Sequence, residues 1–206
     1  MPVIEVHIQD GQPVDVKTRL INAMTDAFRM VLPARPDSIT VILHEMEREN
    51  YMRGGGSRRR TVALREPISV VSAYMKSLHE RDFLQMDDLV HAHCLFHLPG
   101  GEVFTRPADA FTWWNARVSK LHFHLIANEV SPGERGPSVL IRASMSGEWL
   151  DGVPFEGVRL ANRYEFDGDK ICRVDMWNDL AEHALARGGY GAVTPDAAPD
   201  TDSAGR

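Results

Sequence analysis

The stretch Pro2–Gly11, PVIEVHIQDG, decides how the start of the chain is read. From Val3 to Ile8 apolar and polar residues alternate, the period of a strand with one buried face, and Asp10-Gly11 is a turn signal that ends it. Pro2 stands just ahead of the strand, where its missing N–H costs no ladder hydrogen bond. The same nitrogen has a second use. Removal of Met1, which a small second residue favours, converts it from a tertiary amide into a secondary amine. An apolar pocket would lower the pKa of that amine toward neutrality, where a general base works best.

Working outward, Pro13 and Asp15 signal a helix start. Val16, Leu20, Ile21, Met24, Ala27, Phe28 and Val31 recur at three and four residues as its apolar stripe, and Pro33 and Pro36 stop it. Ser38–Glu45, SITVILHE, reads as a second strand, so the unit is β-α-β with parallel strands and a right-handed crossover. Two strands and one helix bury too little surface to stand alone, which predicts a homo-oligomer. The run Arg53–Arg65, RGGGSRRRTVALR, breaks every periodicity and marks the domain boundary, its glycines closing the first domain as a hairpin.

After this boundary the texture changes. Pro67 opens a helix whose face carries Val70, Val71, Tyr74, Met75 and Leu78, and a second helix turns Phe83, Met86, Leu89 and Val90 inward. A short strand, Cys94–Leu98, is halted by Pro-Gly-Gly, and a third helix lies within Phe104–Ser119. Four strands follow at Leu121–Val130, Ser138–Leu150, Val158–Phe166 and Ile171–Asp179, separated by turn signals at Pro132-Gly133, Asp151-Gly152 and Asp167-Gly168. Helices first and an antiparallel sheet afterwards is α+β order, with the helices on one face of a curved sheet. The expected division is therefore 1–56, a basic Gly/Arg linker at 57–66, a second domain at 67–187, and a disordered Gly/Ala/Pro/Asp tail at 188–206.

Composition narrows the function classes. The 206 residues are 43% hydrophobic and 25% charged with a formal net charge of −6, ordinary for a globular protein. The basic run has no interleaved aromatics, which argues against nucleic acid. No stretch has the length of a membrane span and no leader pattern precedes the first strand, so the expected compartment is the cytoplasm. Cys94 and Cys172 lie far apart in hydrophobic settings and read as buried free thiols. The pairs His91/His93 and His122/His124 lack a third ligand at recognisable spacing, so no metal and no cofactor are expected.

The first domain resembles the 4-oxalocrotonate tautomerase family. PVIEVHIQDG, the helix VDVKTRLINAMTDAF, the strand SITVILHEM (Ser38–Met46) and Tyr51 ahead of Gly54-Gly55 carry the resemblance, over about the first 56 residues. It implies a catalytic N-terminal proline, here Pro2, that shuttles a proton on a small enol or ketone, and an aromatic pocket wall, here Tyr51. Two substrate-binding arginines of that family are replaced by Gln12 and Thr40. Neither side chain reproduces the bidentate, charge-assisted grip of a guanidinium. Arg35, just before the second strand, is the nearest substitute.

The second domain is similar to the ketosteroid isomerase and nuclear transport factor 2-like fold, including the SnoaL-like cyclases, through VVSAYMKSLHERDFLQMDDLV, CLFHLPGGEVFTRPADAFTWW and KICRVDMWNDL. The resemblance implies a cone around an apolar pocket with a few convergent polar groups. It places Tyr74 as an oxyanion-holding tyrosine and Asp179 as an acid/base carboxylate, with Trp177 lining the same cavity. Period two puts Asp175, Trp177 and Asp179 on one strand face and His122 and His124 on another. His97 is a candidate base at neutral pH, and Trp113 and Trp114 are candidate pocket walls. The expected function is a cofactor-independent isomerase or tautomerase with Pro2 as base and a second pocket in the C-terminal domain. Two alternatives stay open: isomerase or cyclase chemistry only in the second domain, or non-catalytic small-ligand binding.

Overall fold

The computed structural model describes residues 1–57, 59 and 61–189 of the chain. The chain divides into two compact units, Met1–Leu64 and the part from Arg65 onward. Of the tail expected to be disordered, Gly188 caps the last helix and residues 190–206 lie outside the described residues.

In the first unit, β1 (Val3–Gln9), α1 (Val14–Arg29) and β2 (Thr40–Met46) form the β-α-β module. The strands pair in parallel, in unbroken register from Val3 opposite Thr40 to Gln9 opposite Met46. The helix ends at Arg29, short of Val31, because the residue before Pro33 is pushed out of helical conformation; Val31 is exposed. A 3-10 turn at Pro36–Ser38 replaces the expected first residues of the second strand. The glycines do close a hairpin, β3 (Met52–Arg53) with β4 (Gly56–Ser57). Its two-residue turn, Gly54-Gly55, has positive φ at both positions, the backbone that a tight hairpin needs and that only glycine adopts freely. Among the described residues none of the buried apolar side chains belongs to this unit; the buried core begins at Val70.

The second unit contains α2 (Pro67–Glu80), α3 (Phe83–Leu89), β5 (Val90–His97), β6 (Val103–Phe104), α4 (Pro107–Asn115), β7 (Val118–Pro132), β8 (Pro137–Trp149), β9 (Pro154–Asp167), β10 (Lys170–Asn178) and α5 (Leu180–Arg187). Glu66 caps α2, accepting hydrogen bonds from the Ile68 and Ser69 amides, and Asp82 caps α3 through the Gln85 amide. The six strands run in the order β6-β5-β10-β9-β8-β7. The expected antiparallel sheet is antiparallel throughout except for β5 and β10, which pair in parallel. Two further differences from the sequence reading are local. Val90 opens β5 instead of ending α3, its β-branched side chain suiting the strand. Residues 180–187 form a short helix, α5, that the alternating pattern before it does not announce.

The register defines two faces. Phe96, Val174, Tyr164 and Val139 follow one another across β5, β10, β9 and β8, and the helices α2 and α3 cover that concave face with Val70, Val71, Tyr74, Met86 and Leu89. A second cluster, with Trp114, Val118, Met145, Phe155 and Leu160, continues the core toward α5. The opposite face of the same strands carries His97, Asp175, Arg163 and Leu140.

Candidate functional site

Pro2 sits at the head of β1, half-buried, its carbonyl accepting a 3.0 Å hydrogen bond from the Thr40 amide. That bond fixes the first residue of the module against the second strand. Met1 is 93% exposed, so its removal takes nothing out of the packed structure. The neighbours expected to bind substrate have other partners in this chain. The Gln12 side-chain amide donates to the Thr61 carbonyl at 2.9 Å, and Arg35 forks onto Asp37 at 2.8 and 3.2 Å. The Thr40 side chain is half-buried, on the sheet face opposite α1, and Tyr51 is 37% exposed beside the glycine hairpin. Arg19, a half-buried cation on α1, donates to the Leu64 carbonyl at 2.8 Å.

In the second unit a cavity of about 280 Å³ lies between the concave sheet face and α2 and α4. Its apolar wall includes Phe96, Leu98, Phe111, Trp114, Phe123 and Met176. At its polar end stand Tyr74, Tyr164 and Asn162. Asn162, 1% exposed, donates from Nδ2 to the Tyr164 hydroxyl at 3.1 Å, and that hydroxyl donates to Met75 Sδ at 3.2 Å. This leaves Asn162 Oδ1 buried without a donor among the described residues. A buried acceptor with no donor is costly, and a ligand hydroxyl or N–H would satisfy it.

Charge in this cavity has one sign. Its charged or titratable side chains besides the tyrosines are His79, Arg81, Lys120 and His122, with no Asp or Glu among the lining residues. Lys120 is paired with Glu148 at 2.8 Å. Arg81 ends α2 in a left-handed conformation and lies 5.3 Å over the Phe111 ring. Burial, with Tyr164 and Cys94 adding, holds the Tyr74 hydroxyl well above the ordinary tyrosine range, and burial pushes Tyr164 up to about 12. Both phenols therefore stay protonated at working pH.

The cavity gathers Tyr74, Trp114 and His122 but not the other expected residues. Phe96, Val174 and Met176 line it, so the alternate positions His97, Asp175 and Trp177 face the other side of the sheet. Asp175 is buried in an ion pair with Arg173 at 2.8 Å, and Trp177 is 55% exposed. Asp179 has left the strand: it stands at the N-terminus of α5, paired with Arg159. His97 keeps a buried Nε2 without a partner among the described residues, away from the cavity lining. Trp113 packs beside the cavity under the Arg117 guanidinium, 3.6 Å from its ring centroid, while Trp114 lines it. The sequence reading missed Asn162, although it is the polar member of the alternating set Leu160, Asn162, Tyr164, Phe166, a legible signal.

A parallel β-α-β module led by a proline thus precedes an α+β unit whose sheet and helices enclose a cavity lined by neutral phenols and cationic side chains. The tautomerase enzyme family matches residues 2–59. A protein of Halalkalibacterium halodurans named as a probable tautomerase is 31% identical over 51 residues, 25% of this chain and 84% of that protein. The chain belongs to the tautomerase family. Solved structures similar to it include an NTF2-like protein from Burkholderia thailandensis, at 19% identity, 60% of this chain, 98% of that one and TM-score 0.49. Another is a hypothetical protein with a ketosteroid isomerase-like fold from Catenulispora acidiphila, at 18% identity, 65% of this chain, 100% of that one and TM-score 0.47. Among the described residues no helix is long and apolar enough to cross a membrane.

Proposed function

We propose that the protein is a cofactor-independent tautomerase in which Pro2, freed by loss of Met1, is the general base on a small enol or keto substrate. The observation that carries this reading is the placement of Pro2 at the head of β1 with Met1 protruding into solvent. Tyr51 forms an aromatic wall. Gln12 and Thr40 offer neutral hydrogen bonds where the family uses arginines, so the substrate need not be a dicarboxylate. Arg35 serves as a carboxylate partner only if it exchanges Asp37 for substrate. The protein acts as a homo-oligomer, because among its described residues the first unit has no fully buried apolar side chain.

The test is an intact-mass measurement followed by tautomerisation assays on phenylenolpyruvate and 2-hydroxymuconate. Mature protein lacking Met1 should turn over at least one of them, and Pro2→Ala should lose about 10²–10⁴-fold in rate, the range of a general base. Equal rates in the two proteins would overturn the reading.

A second reading rests on the cavity of the C-terminal unit. With Tyr74 as donor and Asn162 Oδ1 as acceptor it suits a hydroxylated or enolic molecule, and its cationic side chains favour a neutral or anionic one. Chemistry there falls to His79 or His122, which line it, and not to Asp179 or His97. If activity survives Pro2→Ala but is lost in His79→Ala or His122→Ala, the second unit is the catalyst and the first an assembly core.

A further inference from the structure

The parallel pairing of β1 and β2 sets His7 directly opposite His44, and Glu5, two residues before His7, lies on the same face of the sheet. The two imidazoles stack with centroids 4.7 Å apart and planes 15° from parallel. Glu5 Oε2 approaches His44 Nε2 to 3.4 Å. One donor atom from each of the three side chains lies within 4.8 Å of the others. This face is turned away from α1, and the side chains of His44 and Glu5 are 43% and 58% exposed, so an ion can reach them from solvent.

We propose that Glu5, His7 and His44 form a binding site for a divalent first-row transition ion of the zinc type. Two imidazoles and one carboxylate are the donor set of a three-ligand zinc centre, which leaves a fourth position for water or for a donor from another molecule. The same set excludes magnesium and calcium, which take oxygen ligands. At zinc-to-ligand bond lengths of about 2.0–2.2 Å, the donor atoms of a tetrahedral site lie about 3.3–3.6 Å apart. A spread of up to 4.8 Å therefore needs to contract by at most about 1.2–1.5 Å, which rotation of side chains at exposed positions supplies. Spacing along the chain hides the site. Glu5-x-His7 is an unremarkable strand alternation, and His44 joins it only through the cross-strand register.

Isothermal titration of the full-length protein with zinc chloride tests the proposal. One equivalent per chain, bound with micromolar or tighter affinity, is expected, and His44→Ala, His7→Ala and Glu5→Gln should each weaken this binding at least tenfold. The double variant His91→Ala/His93→Ala, which removes the other close histidine pair, should bind as the wild type does. NMR on the unmutated protein supplies an independent reading if a variant fails to fold. Zinc should shift the imidazole signals of His7 and His44 first, ahead of those of His91, His93, His122 and His124. Absence of saturable binding up to about 100 µM zinc, undiminished affinity in His44→Ala, or first shifts at other histidines would overturn the site.

Discussion

At the residue scale the most informative atom is one that lacks a partner. Asn162 Oδ1 is buried at the polar end of the cavity with no donor among the described residues, while the other end of the same amide is engaged by Tyr164. Replacing both ends by a near-isosteric apolar group removes an unsatisfied acceptor as well as a hydrogen bond. Asn162→Leu should therefore change unfolding free energy by less than about 1 kcal/mol in the unliganded protein. Chemical denaturation checks this, and a loss above about 3 kcal/mol would mean that the acceptor is satisfied in solution. The buried ionisable groups give a second prediction. Burial pushes the Cys94 thiol up to about 12 and Tyr164 to about 12, and holds Tyr74 well above the ordinary tyrosine range. These groups are neutral when protonated and their folded-state pKa values lie above the unfolded ones. Their contribution is complete below about pH 9 and is lost as pH rises through the folded values. Thermal melts from pH 8 to 12 should show Tm falling steadily above pH 9, and Cys94→Ala should flatten the first part of that fall.

At the element scale, strand parity decides which side chains meet a ligand. From β5, the residue after it and β10 the cavity takes Phe96, Leu98, Val174 and Met176, so the intervening His97, Asp175 and Trp177 are committed to the opposite face. Period two was legible in the sequence. Which of its two phases faces the helices was not, because both faces of β10 carry large or polar residues and only packing against α2 and α3 breaks the tie. Phe96→Ala should accordingly cost about 3–5 kcal/mol, and Leu95→Ala, on the exposed face, less than about 1 kcal/mol by equilibrium unfolding. Backbone also approaches backbone closely at Gly147 on β8. A Cβ on Gly147 would stand 2.0 Å from the Lys120 carbonyl oxygen on β7, where the pairing with β9 also shifts register. Because the clash is with backbone, Gly147→Ala should destabilise the second unit by more than about 2 kcal/mol.

At the scale of the whole molecule the two units differ in self-sufficiency. From Val70 to Leu180 two clusters of buried side chains fill the second unit, whereas the apolar residues of β1, α1 and β2 are only partly covered. This predicts association through the first unit, and sedimentation analysis should give a mass of at least twice 23.1 kDa. A monomer at micromolar concentration would show that the first unit holds its fold without partner copies.

The sequence by itself determined the β-α-β module, its glycine hairpin, the helix-then-sheet order of the second unit and the position of Pro2, because each rests on local periodicity, turn chemistry or chain position. Only the tertiary structure decided what the strands present to one another. Register brought His44 to Glu5 and His7, parity turned Asp175 and Trp177 away from the cavity, and the onset of α5 took Asp179 out of the sheet to Arg159. The physical reason is that periodicity is a property of one segment, whereas a site is built from several. Its phase is set by packing between segments that are distant along the chain.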